Sequence, residues 1–159
     1  MSSKSKNSLA TLAAAALLAV GYCLYAFGPS APAPGDVRSW SLVLLVFVAI
    51  TIITLIVVQI VFRILLGVGI AATRKDAEPV ERVLAAALAD DEMDRLIGAR
   101  AARVGAPIVG FGFLLTLGMI AAGGSVVGAL HVQLAAFFAA GLTSAVVSII
   151  GYERGIADD

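Results

Sequence analysis

The chain has very few of the side chains that membrane transport and redox chemistry require. Its four long apolar segments contain no aspartate or glutamate, and the whole sequence has one cysteine, Cys23, and one histidine, His131. Proton-coupled transporters and small multidrug exporters normally place a carboxylate in the membrane, so its absence speaks against those classes. A single thiol cannot form an internal disulfide, and a single histidine cannot supply both axial ligands of a haem.

The sequence also lacks a glycine-rich phosphate loop, a Ser/His/Asp set and a metal-ligand cluster. We therefore expect no enzymatic activity and no cofactor. The formal net charge is zero, so we expect no direct binding of nucleic acid. Cys23 is interpreted as a small apolar packing residue, and His131 as a polar residue at the membrane interface.

What the chain does contain is four apolar segments, at roughly Leu9–Phe27, Leu42–Phe62, Pro107–Val127 and Leu130–Tyr152. Each has about 20 residues, the length that an α-helix needs to cross ~30 Å of hydrocarbon. The composition, 60% hydrophobic and 14% charged, is far from that of an average soluble domain. The first segment is longer than the apolar region of a signal peptide, ~7–15 residues, and is interpreted as an uncleaved span.

These segments predict an all-α integral membrane protein, a four-helix bundle with a short cytoplasmic helical segment between the second and third spans. The chain is one membrane domain, residues 1–159. Apolar residues continue past Phe62, so the second span is given an extension to Ala72. The predicted spans are about 9–27, 42–72, 107–127 and 130–152, and the cytoplasmic segment is 74–105.

Lysine and arginine predict the orientation, because short cytoplasmic loops carry an excess of both. With both termini and the middle loop inside, nine positive residues are cytoplasmic and only Arg38 is outside. We therefore expect a multi-pass protein of the bacterial inner membrane with a cytoplasmic N-terminus and C-terminus. The nine residues are Lys4, Lys6, Arg74, Lys75, Arg82, Arg95, Arg100, Arg103 and Arg154.

Three polar or interfacial residues mark the second span. Trp40 is expected at the outer membrane interface, where an indole ring is favoured. Gln59 is a candidate for a hydrogen bond between helices, with a transport role as the alternative. Arg63 lies near the cytoplasmic headgroups, where it either snorkels towards lipid phosphate or contacts an ion or phosphate within the bundle.

Small residues predict which helices pack closely, because membrane helices associate where their backbones can approach. In the fourth span Ala136, Ala140, Ser144 and Ser148 recur at every fourth position, which predicts a ridge that faces another helix. The second span is rich in Leu, Ile and Val instead. We therefore expect the first, third and fourth spans to form the tight part of the bundle, and the second to face lipid or a neighbouring protomer.

The cytoplasmic segment predicts two helical pieces, the first beginning near Pro79. The second is expected to start at Asp90 or Asp91 and to continue through Arg103 into the third span, with a bend near Gly105–Pro107. Four acids within residues 90–94 could also bind a divalent cation, but a capped helix start explains them better because arginines follow closely.

The run Asp91-Glu92-Met93-Asp94-Arg95-Leu96-Ile97 matches a D-E-x-D-x-x-I pattern just before the third span. In this it resembles uncharacterised prokaryotic four-span membrane proteins, over about Asp90 to Met119. Some members look like partners of small helix-turn-helix regulators, which implies a membrane tether or sensor.

Two classes of function remain after these exclusions. The first is a non-enzymatic scaffold, sensor or subunit that binds a protein partner, or another copy of itself, through its cytoplasmic segment. The second is a small oligomeric channel or transporter. We favour the first, because the polar residues in the spans are few and uncharged. The expected partner-binding residues are Glu92, Asp94, Arg95 and Arg100, with Asp91 assigned to capping.

Overall fold

A computed structural model describes residues 3–73 and 92–154, and these residues form four α-helices. They are α1, Ser3–Ala26; α2, Val37–Thr73; α3, Glu92–Ala121; and α4, Val126–Arg154. All four are long and apolar enough to cross a membrane. The prediction of an all-helical protein with four candidate membrane spans is therefore confirmed.

The helices differ from the predicted apolar segments at several ends. α3 carries the charged residues from Glu92 onwards and runs into the third span as one uninterrupted helix. Pro107 lies inside it on an exposed face, and a bend there remains a prediction. The turn between α3 and α4 occupies residues 122–125, earlier than the apolar segments indicated. The predicted first cytoplasmic helix and the helix start at Asp90 or Asp91 lie outside the described residues.

Helix α4 is the element against which the other three pack. Its most extensive contact is with α3, followed by α1, while α2 contacts α1 and, to a smaller extent, α4. Among the described helices, α3 contacts α4 alone. The expected tight group of first, third and fourth spans is thus organised around α4, and α1 and α3 do not meet.

A four-residue turn joins α3 to α4. Gly123 has a φ of 74°, a left-handed conformation that glycine adopts without strain. The Gly124 N–H donates to the Met119 carbonyl and the Gly123 N–H to the Ile120 carbonyl, which is a Schellman ending. Ser125 then caps α4, because its hydroxyl accepts from the Gly128 N–H at 3.2 Å. The turn therefore sends α4 back antiparallel along α3.

Glycines let α3 and α4 approach closely along their whole length. A methyl group at Gly112 would collide with the methyl group of Ala136, and one at Gly105 would collide with the Ser144 hydroxyl. Near the other end of the pair, a methyl group at Gly151 would lie 3.0 Å from Ile97. These contacts confirm that the small ridge of the fourth span, which includes Ala136 and Ser144, faces another helix.

Hydrogen bonds add to this close packing. The Ser144 hydroxyl donates to the Ala101 carbonyl of α3 at 3.1 Å. The Thr116 hydroxyl lies 3.2 Å from the Ala129 carbonyl and 3.4 Å from Gln133 Oε1, both on α4. Lipid tails are as apolar as the helices, so helix association gains little from the hydrophobic effect. Close packing and interhelical hydrogen bonds must therefore stabilise the contact. Interhelical bonds in membranes contribute about 0.6 kcal/mol each on average.

Helix α2 is the most exposed of the four. Its apolar side chains point outwards over much of its length, and Leu45, Ile53 and Leu65 are each more than 60% exposed. This agrees with the expectation that the second span faces lipid or a neighbouring protomer. Asp36 caps its start, because Oδ1 accepts from the Ser39 N–H at 3.0 Å. Hydrogen bonds from the Ser39 side chain and then its backbone hold the pKa of Asp36 below its usual range.

We predict that Gly112→Ala lowers the free energy of unfolding by about 1–3 kcal/mol, the range for overpacking a filled interior. The matched control is Gly110→Ala on the same helix, where a methyl group would meet nothing within 4 Å. Reversible unfolding in mixed micelles measures both. The double variant Gly112→Ala/Ala136→Gly moves the methyl group to the opposite helix, and should recover most of the loss. Equal effects at Gly110 and Gly112 would mean that these helices do not meet here.

Candidate functional site

Most lysine and arginine residues of the described helices lie at one end of the bundle, and a cluster of aromatic rings lies at the other. The aromatic end, defined by Tyr22, Trp40, Phe47 and His131, contains the end of α1 and the starts of α2 and α4. The start of α3 and the end of α4 meet at the other end, where Ile97 packs against Gly151. This basic end carries every described lysine and arginine except Arg38: Lys4, Lys6, Arg63, Arg95, Arg100, Arg103 and Arg154.

The beginning of α3 presents the predicted partner-binding residues. Glu92 and Arg95 are exposed in its first turn, whereas Asp94 is half-buried and already takes part in an interaction. Arg100 is exposed further along the helix. The structure therefore brings the four residues onto one helix but separates Arg100 from Arg95 by about 7.5 Å along its axis.

The opposite face of this segment fixes it to α4. Ile97 is 2% exposed and Ala101 is 6% exposed. Both lie on the same side of α3 as Gly105, and all three contact or face the last turns of α4. The charged start of α3 is thus held against α4 by these contacts, which set the backbone position of its exposed side chains.

Gln59 and Arg63 are both exposed on α2, one turn apart. Among the described residues no hydrogen bond joins Gln59 to another helix, and the expected interhelical bond stays a prediction. Arg63 lies towards the basic end, which agrees with a position near headgroups. Neither residue is brought together with the charged start of α3, because α2 and α3 do not contact each other.

The aromatic end is a cluster that sequence reasoning missed. Trp40 is 5% exposed. Its ring packs edge-on against the His131 ring, with the two centroids 4.6 Å apart. The Trp40 Nε1–H donates to the Ala33 carbonyl. Tyr22 packs edge-on against Phe47 at 4.8 Å. His131 Nδ1 lies 2.7 Å from the Val127 carbonyl, so it carries the proton in this arrangement, since a carbonyl only accepts. The cluster ties α1, α2 and α4 together.

The hydroxyl groups within the spans bond either to the backbone of their own helix or across the α3–α4 contact. Thr51 donates to Phe47 O, Ser148 to Ser144 O, and Ser144 and Thr116 reach across the α3–α4 contact. A cavity of about 240 Å³ lies between α2 and α4, level with the middle of both helices. Its lining is almost entirely apolar: Ala15, Val48, Thr51, Ile52, Leu55, Leu134, Phe137, Phe138 and Gly141. In residues 3–73 and 92–154, neither the hydroxyl groups nor this cavity forms a polar path along the helices.

No group of three metal-ligating side chains occurs in residues 3–73 and 92–154. Of the four acids that could have bound a cation, Asp90 and Asp91 lie outside the described residues. Neither a protein-family model, nor a curated protein, nor a solved structure matches the chain. Functional inference therefore depends on the geometry of the basic end.

Proposed function

We propose that this chain is a non-enzymatic membrane scaffold, sensor or subunit that binds a protein partner through the start of α3. The observation that supports this most directly is the contrast between the two faces of that segment. Ile97 and Ala101 are buried against α4, while Glu92 and Arg95 are exposed beyond them.

A fixed backbone suits such a role, because a surface that is ordered before binding loses less conformational entropy when the partner docks. Exposed charges of both signs select partners more than they add affinity. Glu92 and Arg95 are therefore the residues that we place at the centre of the docking surface. Asp94 adjoins the docking surface from a half-buried position, and Arg100 lies on the side of that surface nearer the membrane.

An oligomeric channel or small transporter is the alternative, and one observation favours it. The Gln59 amide is exposed within the apolar α2 helix. A polar group that faces lipid is unfavourable, so a second copy of the chain would stabilise it by covering it. A polar pore formed by several copies would then be lined by α2.

We further infer that the protein resides in the bacterial inner membrane with its basic end and both termini in the cytoplasm. The support is the concentration of lysine and arginine at that end, against Arg38 alone at the other. The D-E-x-D-x-x-I resemblance is consistent with this placement, since it implies a membrane tether that meets a cytoplasmic regulator.

Cysteine labelling tests the orientation. In a Cys23→Ser background, we expect a membrane-impermeant maleimide added to intact cells to label Ser30→Cys, which lies in the exposed loop before α2. Glu153→Cys, near the end of α4, should be labelled only after the cells are opened. The reverse pattern would show that the basic end faces outwards.

Site-specific photo-crosslinking in the native cell tests the docking surface. A photoreactive residue at Leu96, which is 52% exposed beside Glu92 and Arg95, should give a discrete protein adduct. The combined reversal Glu92→Lys/Arg95→Glu should abolish that adduct without changing helix content, because both residues are exposed. A photoreactive residue at Leu114, on the lipid-facing part of the same helix, is the matched control and should give none.

Two results would contradict the docking proposal. An adduct at Leu96 that survives the charge reversal would mean that these charges do not select the partner. Solute flux in liposomes that is lost in Gln59→Leu, with no protein adduct at Leu96, would favour the channel alternative. Arg38→Glu at the opposite end serves as the charge control in both assays.

A further inference from the structure

Arg100 and Arg103 form a pair of exposed cations at the membrane side of the docking surface, away from its centre at Glu92 and Arg95. They lie three residues apart, and therefore on one face of α3. The helix carries no acid between Leu96 and Pro107, so neither arginine has a carboxylate within reach along its own helix. In the described part of the chain, no ion pair joins either arginine to another residue.

The pair lies where the exposed face of α3 changes from charged to apolar. Beyond it, towards the aromatic end, the same face presents Pro107, then Phe111 at 64% exposure and Leu114 at 65%. From Arg100 to the end of α3 at Ala121 is 21 residues, or about 31 Å of helix. That length matches the ~30 Å hydrocarbon thickness, so the pair sits at the level of lipid headgroups.

We propose that Arg100 and Arg103 form a binding site for the phosphate of an anionic phospholipid, whose acyl chains lie along Phe111 and Leu114. Guanidinium groups form paired hydrogen bonds with phosphate oxygens, and among the described residues no carboxylate pairs with either arginine. The inference is independent of the docking surface, which is centred on Glu92 and Arg95.

Native mass spectrometry of the full chain in detergent tests the site, with phosphatidylglycerol and phosphatidylcholine as probes. We expect the wild-type chain to bind phosphatidylglycerol more tightly than phosphatidylcholine. Arg100→Gln and Arg103→Gln should each weaken phosphatidylglycerol binding about fivefold, the effect of one basic residue near a lipid surface. Binding of phosphatidylcholine should not change.

The controls separate this site from general charge and from soluble phosphate. Arg38→Gln, at the opposite end of the bundle, should leave phosphatidylglycerol binding unchanged. Arg100→Lys/Arg103→Lys keeps both charges but loses the paired geometry, so its affinity should be intermediate. It also provides a test if the glutamine variants do not fold. Unchanged phosphatidylglycerol binding in the Arg100 and Arg103 variants, an equal loss in Arg38→Gln, or displacement of the lipid by soluble glycerol phosphate would overturn the proposal.

Discussion

The close approach of α3 and α4 is the interaction on which the rest of the structure depends. In a bilayer the surrounding lipid is as apolar as leucine, so two helices gain little by burying large apolar side chains against each other. Here Gly105, Gly112 and Gly151 remove the side chains that would hold the backbones apart. Small residues face Gly105 and Gly112, and Ile97 packs against Gly151. The four-residue turn through Gly123 fixes the register of α3 against α4, because so short a connection does not let the two helices slide past each other.

The α3–α4 contact determines the position of the charged start of α3. Among the described helices, α3 contacts α4 and neither α1 nor α2, so of these helices only α4 supports the start of α3. Burial of Ile97 at 2% exposure orients the segment, and Glu92, Arg95 and Arg100 therefore point away from the bundle. At the other end, Trp40 and His131 perform a comparable role, since they join α2 to α4 where the helix contact itself is small.

Much of this architecture could be predicted from local patterns, but the pairing could not. Segment length and hydropathy predicted four spans, and the fourth-position spacing through Ala140 and Ser144 predicted a packed ridge. That spacing does not specify which helix the ridge packs against. The contact of Gly112 with Ala136 could therefore be seen only in the structure. The contact of Trp40 with His131 joins residues far apart in sequence and left no local signal. Hydropathy barely changes between the third and fourth spans, so the apolar segments predicted the turn a few residues later than the structure has it. Gly123, Gly124 and Ser125 are nevertheless a recognisable helix end and cap.

Disulfide cross-linking measures the central contact most directly. The β-carbon built at Gly105 lies 3.8 Å from that of Ser144, which is the mean separation in a disulfide. In a Cys23→Ser background, we predict that Gly105→Cys/Ser144→Cys closes an intramolecular disulfide under mild oxidation in native membranes. Gly110→Cys/Ser144→Cys should stay reduced, because Gly110 faces open space. Failure of the first pair to close, or equal closure of both, would contradict the close α3–α4 contact.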